Sequence, residues 1–277
     1  MKVAVERTTS APAHRAQRKR VSARAITFWA VLGAYVLLTI GVLFHSPLLT
    51  LDQDVFRLDL RQRHPEWFYP IHTFVMLGQR GPATLVALPW FAWRAWKSRS
   101  PRPFIMLGTA LVLLNLSVGF VKVTTGRLGP SATHHAYSVF EGGDIYPSGH
   151  VSNAVVLYGV IAMLAVGCRR TVAAAAVAVS VAIGLSTIYL DTHWLTDVLG
   201  GWLAGCLVLL VLPSVMPYAE WLYDVLAEKA KRMWVAVRPR PESVLPRDVF
   251  AAQLRGLEPD AQPRDEQHDA DHASAHH

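Results

Sequence analysis

The sequence predicts an all-α, polytopic membrane protein: six transmembrane helices in a bundle, with the active face outside the cytoplasm. Two observations carry the fold class. Hydrophobic residues fill 52% of the 277 positions and charged residues only 17%, against roughly 25% charged in a soluble domain. Charge is also segregated along the chain. Residues 1–25 hold seven Lys/Arg and one acid, residues 26–217 hold twelve and eight, and residues 218–277 hold eight and eleven. A basic head, a long apolar body and a polar tail are the layout of a membrane protein. The net charge of +7 therefore does not indicate a nucleic-acid partner, because the membrane layout accounts for where the basic residues fall.

Six apolar stretches follow in order. Ile26–Phe44 carries no charge. It follows a basic segment, but it is too long for the apolar region of a signal peptide and no A-x-A site follows, so it reads as a retained helix. The second stretch, Phe68–Trp96, is interrupted by Gln79 and Arg80, and Gly78 and Gly81 permit a break there. Pro103–Val121 is the third. Val151–Gly167, the fourth, is short against the roughly 20 residues a crossing needs and borrows from its flanks. Thr171–Leu190 is the fifth, and Trp194–Pro217, carrying Asp197, is the sixth.

Basic residues orient these stretches. The head, the link around Arg94, Lys97, Arg99 and Arg102, the link at Arg169 and Arg170, and the segment from Lys229 to Arg240 must share one side. The positive-inside rule makes that side the cytoplasm of a plasma-membrane protein with both termini inside. Segments 45–67, 122–150 and 191–193 then face outward. Trp67, Trp93, Trp96, Trp194 and Tyr218 stand near the boundaries, where an aromatic belt belongs. Residues 218–237 read as an amphipathic surface helix with Trp221, Leu222, Val225, Leu226 and Trp234 on its apolar side. From Pro239 the composition predicts disorder. Cys168 and Cys206, the only cysteines, exclude a disulfide framework and read as small buried apolar residues.

Ionisable residues at membrane-helix ends are functional candidates. Lys122 and Arg127, the run Pro147-Ser148-Gly149-His150, the pair His193 and Asp197, and Arg80 all fall on the outer face of this topology. Ser148 and Gly149 before a helix form an anion site, since free N–H groups and the positive helix end favour a phosphate. An ordinary capped helix start explains Ser and Gly equally well but leaves His150 unexplained. His193 and Asp197, spaced i, i+4, meet on one helix face. The carboxylate there fixes the imidazole tautomer and frees the other nitrogen. A structural His–Asp pair is the alternative, at the expense of burying a carboxylate in a membrane helix. Lys122 and Arg127 read as cations for an anion, and either alone is also explained by snorkelling. His150, His193 and Asp197 fit a facial metal set, but no second carboxylate cluster accompanies them, and the basic residues point to a bound anion.

These residues resemble the type 2 phosphatidic acid phosphatase superfamily, whose signature is Lys-x6-Arg-Pro, Pro-Ser-Gly-His and Ser-Arg-x5-His-x3-Asp. Pro147, Ser148, Gly149 and His150 match the second part fully. Lys122 and Pro130 match the first, and Ser186, His193 and Asp197 the third. The resemblance spans roughly residues 50–215. Gly129 and Thr187 stand where the family has arginines, so Arg127 and Arg80 are expected to refill the phosphate pocket, with His134 and His135 as weaker alternatives. The resemblance implies that His193 attacks phosphorus, Asp197 orients it, and His150 protonates the leaving oxygen. It implies that Lys122, Arg127, Ser148, Gly149 and Arg80 hold the phosphoryl oxygens, with no metal or other cofactor. Implied partners are a lipid phosphate substrate and the membrane lipids. The oligomeric state stays open. Undecaprenyl diphosphate, phosphatidic acid and phosphatidylglycerol phosphate are the substrates to consider, a polyprenyl diphosphate foremost. A lipid phosphotransferase using the same histidines and a non-catalytic relative are the alternatives.

Overall fold

The structure, a computed structural model, describes the backbone of residues 11–237 and the side chains of residues 23–235 and 237. Among the described residues every regular element is helical. In order they are α1 (Ala11–Leu43), α2 (Leu48–Phe56), α3 (Leu60–Arg63), α4 (Phe68–Val75), α5 (Arg80–Ser98), α6 (Arg102–Thr125), α7 (Pro130–Thr133), α8 (Gly149–Leu164), α9 (Arg169–Tyr189) and α10 (Leu195–Val237). Four of them, α1, α6, α9 and α10, are long and apolar enough to cross a membrane. Helix α8 is apolar but has 16 residues. Helix α5 has 19 and carries Arg80, Arg94 and Lys97.

The second apolar stretch breaks where its glycines allow it. Helix α4 ends at Val75, Met76–Gly78 make one 3-10 turn, and α5 starts at Arg80. A break at membrane depth frees carbonyls that lipid cannot satisfy. Helix α8 supplies the missing donors: Asn153 Nδ2 donates to the Gly78 carbonyl at 3.0 Å and Tyr158 Oη to that of Leu77 at 3.0 Å. Gly78 is required by close approach, since a Cβ there would lie 2.7 Å from Ile183 Cγ2 and 3.0 Å from the His150 carbonyl. The break therefore sits directly against the start of α8.

Helices α5, α6, α8 and α10 share the main core, with Phe91, Leu114, Leu157 and Leu212 fully buried. Lipid tails are as apolar as these side chains, so close packing rather than escape from water holds the helices together. Gly201 and Gly205 let α10 lie on α8. A Cβ on the first would meet the Ser148 carbonyl at 2.9 Å, and one on the second would meet Val155 Cβ at 2.6 Å. This contact brings Ser148–His150 beside His193–Asp197. A second core of Val42, Leu49, Ala136, Tyr146 and Trp194 caps that end of the bundle.

Several expectations are corrected. The segment 45–67, expected to be a loop, holds two short α-helices and a 3-10 turn at Pro65–Trp67, and Leu49 finds a buried place in the cap. Trp194 belongs to no aromatic belt: it is 1% exposed, and its indole N–H donates to the Leu128 carbonyl at 2.9 Å. Trp67, Trp93, Trp96 and Tyr218 are exposed. Both cysteines are exposed free thiols, Cys168 ahead of α9 and Cys206 on an outward side of α10. Residues 218–237 are helical but continue α10 without interruption. The chain divides into compact units at Val225 and Leu226. In the second unit the described residues are helical, with Lys231 and Glu228 paired at 3.1 Å. The disorder expected from Pro239 lies outside the described residues.

Replacing Asn153 by Leu is expected to lower stability by about 1–3 kcal/mol, the consequence of an unsatisfied buried carbonyl. Thermal unfolding in detergent reads this directly, and an unchanged midpoint would contradict the role given to Asn153.

Candidate active site

Four helix ends meet under the cap: the start of α5, the end of α6, and the starts of α8 and α10. They enclose a cavity of about 300 Å³ lined by Gly78, Gln79, Arg80, Lys122, Asp144, Ile145, Gly149, His150 and His193. The His150 and His193 ring centroids are 6.1 Å apart, edge to face. The first residues of α8, Gly149 and His150, line the cavity, and a helix N-terminus favours an anion. Lys122 Nζ donates to the Asp144 carbonyl, and its stem runs past Gly149, where a Cβ would lie 3.7 Å from Lys122 Cε. Arg80 donates to the Asn115 amide oxygen from across the cavity.

Of the eight candidates read from the sequence, five line this cavity: Arg80, Lys122, Gly149, His150 and His193. The other three lie behind it. Ser148 is fully buried and caps α8, its hydroxyl accepting the Val151 amide at 3.4 Å. Its own amide donates to the Asp197 carbonyl at 2.9 Å, tying the second motif to the third. His134 and His135 do not line the cavity. Gly129 is packed against Ile145, and Thr187 is buried with its hydroxyl bonded to the Gly184 carbonyl, so neither position brings a cation.

Arg127 is the main correction. It is fully buried and does not line the cavity. Its Nη1 donates to Asp197 Oδ1 at 2.5 Å and to Thr196 Oγ1 at 2.7 Å. Its Nη2 donates to Asp52 Oδ2 at 2.7 Å and to the Ala136 carbonyl at 2.9 Å. Asp52, on α2, also accepts the Thr196 amide at 2.8 Å and the Thr196 hydroxyl at 2.6 Å. Removal from water pushes the Asp52 carboxyl above its ordinary value, and Arg127 and Thr196 oppose that shift. One guanidinium thus bridges two fully buried carboxylates.

This arrangement changes the expected His193–Asp197 contact. Nδ1 of His193 lies 3.6 Å from Asp197 Oδ2, too far for a hydrogen bond. Oδ2 accepts the Trp194 amide at 2.9 Å. Arg127 thus links the carboxylate behind His193 to Asp52 on α2.

Sequence reasoning did not find Asp52, Thr196 or Asp144. An aspartate in a short helix 144 positions away from Thr196 carries no local signal of such a contact. Asp144 lines the cavity among cations, and only the fold brings it there.

Comparison with known proteins completes the site. Residues 103–221 match the PAP2 superfamily. The matched segment is under half of the chain. It contains both histidines, Lys122, Arg127 and Asp197, whereas Asp52 and Arg80 lie outside it. The chain is 38% identical over 77 residues to phosphatidylglycerophosphatase B of Bacillus subtilis (strain 168), a match covering 25% of this chain and 38% of that one. It thus spans under two fifths of that curated relative. The fold is similar to the crystal structure of the first transmembrane PAP2 type phosphatidylglycerolphosphate phosphatase from Bacillus subtilis. The TM-score is 0.55 at 22% identity, covering 68% of this chain and 94% of that one.

Arg127→Gln is expected to destabilise the protein by about 3–5 kcal/mol, because it strands buried carboxylates. Arg80→Gln, at an exposed position, should leave the unfolding midpoint within error. Equal midpoints for the two variants would return Arg127 to the role of a surface cation.

Proposed function

We propose that this chain is an integral-membrane lipid phosphate phosphatase working through a histidine nucleophile. The observation that supports it best is the pair His150 and His193, facing each other across a cavity that also presents Lys122 and Arg80, with a buried carboxylate network behind His193.

In this reading His193 Nδ1 faces Asp197, which leaves Nε2 for phosphorus. The Nε2–P bond forms as the P–O bond to the lipid alcohol breaks, and His150 gives its proton to the departing oxygen. Water then loses a proton to His150, its oxygen bonds to phosphorus, and the P–N bond breaks. Lys122, Arg80, the Gly149 amide and the N-terminus of α8 hold the phosphoryl oxygens as charge accumulates. Asp144 opposes a highly charged ligand at the rim.

The proposed organisation has a basic head (1–25), a six-span body (26–217) and a cytoplasmic tail (218–277). Helices α5 and α8 complete the six spans, and the cavity faces away from the cytoplasm. Arg94, Arg102 and Arg169, on the helix ends opposite the cavity, support that orientation. The names of the two relatives put phosphatidylglycerophosphate beside undecaprenyl diphosphate and phosphatidic acid in the substrate panel.

Phosphate release by purified protein in detergent, with EDTA present, is expected from at least one of these lipids and should vanish in His193→Ala. Release that persists in a folded His193→Ala protein, or that EDTA abolishes, would overturn the histidine mechanism.

A further inference from the structure

A second cavity, of about 520 Å³, lies at the opposite end of the bundle. Helix α6 separates the two, rising about 30 Å between Arg102 and Lys122 at 1.5 Å per residue. Arg94 near the end of α5, Arg102 at the start of α6 and Arg169 at the start of α9 converge on it, with Ser98 and Ser100 between them. No Asp or Glu lines it among the described residues. Arg102 is held by Glu220 at 3.0 Å. Arg94 is half-buried and uses only Nε, donating to the Leu164 carbonyl at 3.0 Å. Arg169 is exposed and has no partner among the described residues.

Three guanidinium groups from three helices, two of them at helix N-termini, form a site for a phosphate-bearing anion. The wall decides between a free and a lipid-bound phosphate. Met106, Met216 and Pro103 are buried beneath the arginines, giving an apolar floor that a free ion would not use and the upper part of an acyl chain would. We propose that this cavity binds the headgroup phosphate of an anionic phospholipid from the leaflet opposite the candidate active site. The site is independent of catalysis: it stabilises the junction of α5, α6 and α9 by supplying the counter-charge that Arg94 and Arg169 lack among the described residues.

The test counts phosphatidylglycerol bound to the full-length protein by native mass spectrometry from mixed micelles, with phosphatidylcholine as the neutral competitor. Wild type is compared with Arg169→Gln, whose exposed side chain supports no fold contact, and with Lys97→Gln/Arg99→Gln, which removes two nearby charges outside the cavity. The expected result is selective retention of phosphatidylglycerol by wild type and the Lys97/Arg99 variant, with affinity roughly tenfold weaker in Arg169→Gln, the size of one lost charge-assisted hydrogen bond. Equal weakening in both variants would show diffuse surface attraction and overturn the proposal, as would no selectivity in wild type. A third arm adds inorganic phosphate. Displacement of the lipid by millimolar phosphate would identify a free-anion site and overturn the lipid assignment.

Discussion

The buried bridge of Arg127 between Asp52 and Asp197 is the interaction on which the rest of the site depends. It joins three segments distant in sequence: α2, the loop after α6 and the start of α10. Burying ions is costly, and such a cluster is tolerated only when nearly every donor and acceptor is used. Here Thr196, the Ala136 carbonyl and the Trp194 amide do that work. The consequence is chemical as well as structural. Arg127 fixes Asp197 Oδ1, while Oδ2 accepts the Trp194 amide on the side that faces His193. Asp52 holds the other arm of the guanidinium, so Asp197 is positioned from α2.

The bilayer imposes the second constraint. A cavity for an anion among membrane helices needs polar backbone where lipid forbids it. This fold meets that need by ending helices there. The break at Gly78 is closed by Asn153 and Tyr158, and the start of α8 lies at the cavity wall. The glycine contacts of α10 on α8 then set the spacing of the two histidines. One set of helices therefore carries opposite demands at its two ends: a cavity with His150, His193 and Lys122 at one, and three arginines at the other.

Much of this was legible in the sequence. The apolar stretches mark most helix ends to within a few residues, although α1 begins earlier, at Ala11, and α10 runs on to Val237; Gly78, Gln79 and Arg80 mark the break in the second. The three motifs, with their departures at Gly129 and Thr187, point to the superfamily that residues 103–221 match. The sequence misplaced residues whose role depends on burial. Arg127 reads as a phosphate ligand because cations beside a family motif usually are, yet Asp52 draws it inward. Trp194 reads as an interfacial anchor by position but fills the cap. Asp52 itself gives no signal, because neither periodicity nor a motif marks an acid in a short helix. Asn153 and Tyr158 are similar cases: they sit in an apolar run, and their use is visible only once the broken helix lies beside them.

The central claim is that Asp52 and Arg127 act as one unit in support of His193. A double-mutant cycle of Asp52→Asn and Arg127→Met, followed by unfolding in detergent, tests it most directly. The account expects strong coupling: each single variant loses about 3–5 kcal/mol, and the double variant loses clearly less than the sum. Additive losses would contradict it, and would mean that the two residues hold the fold separately.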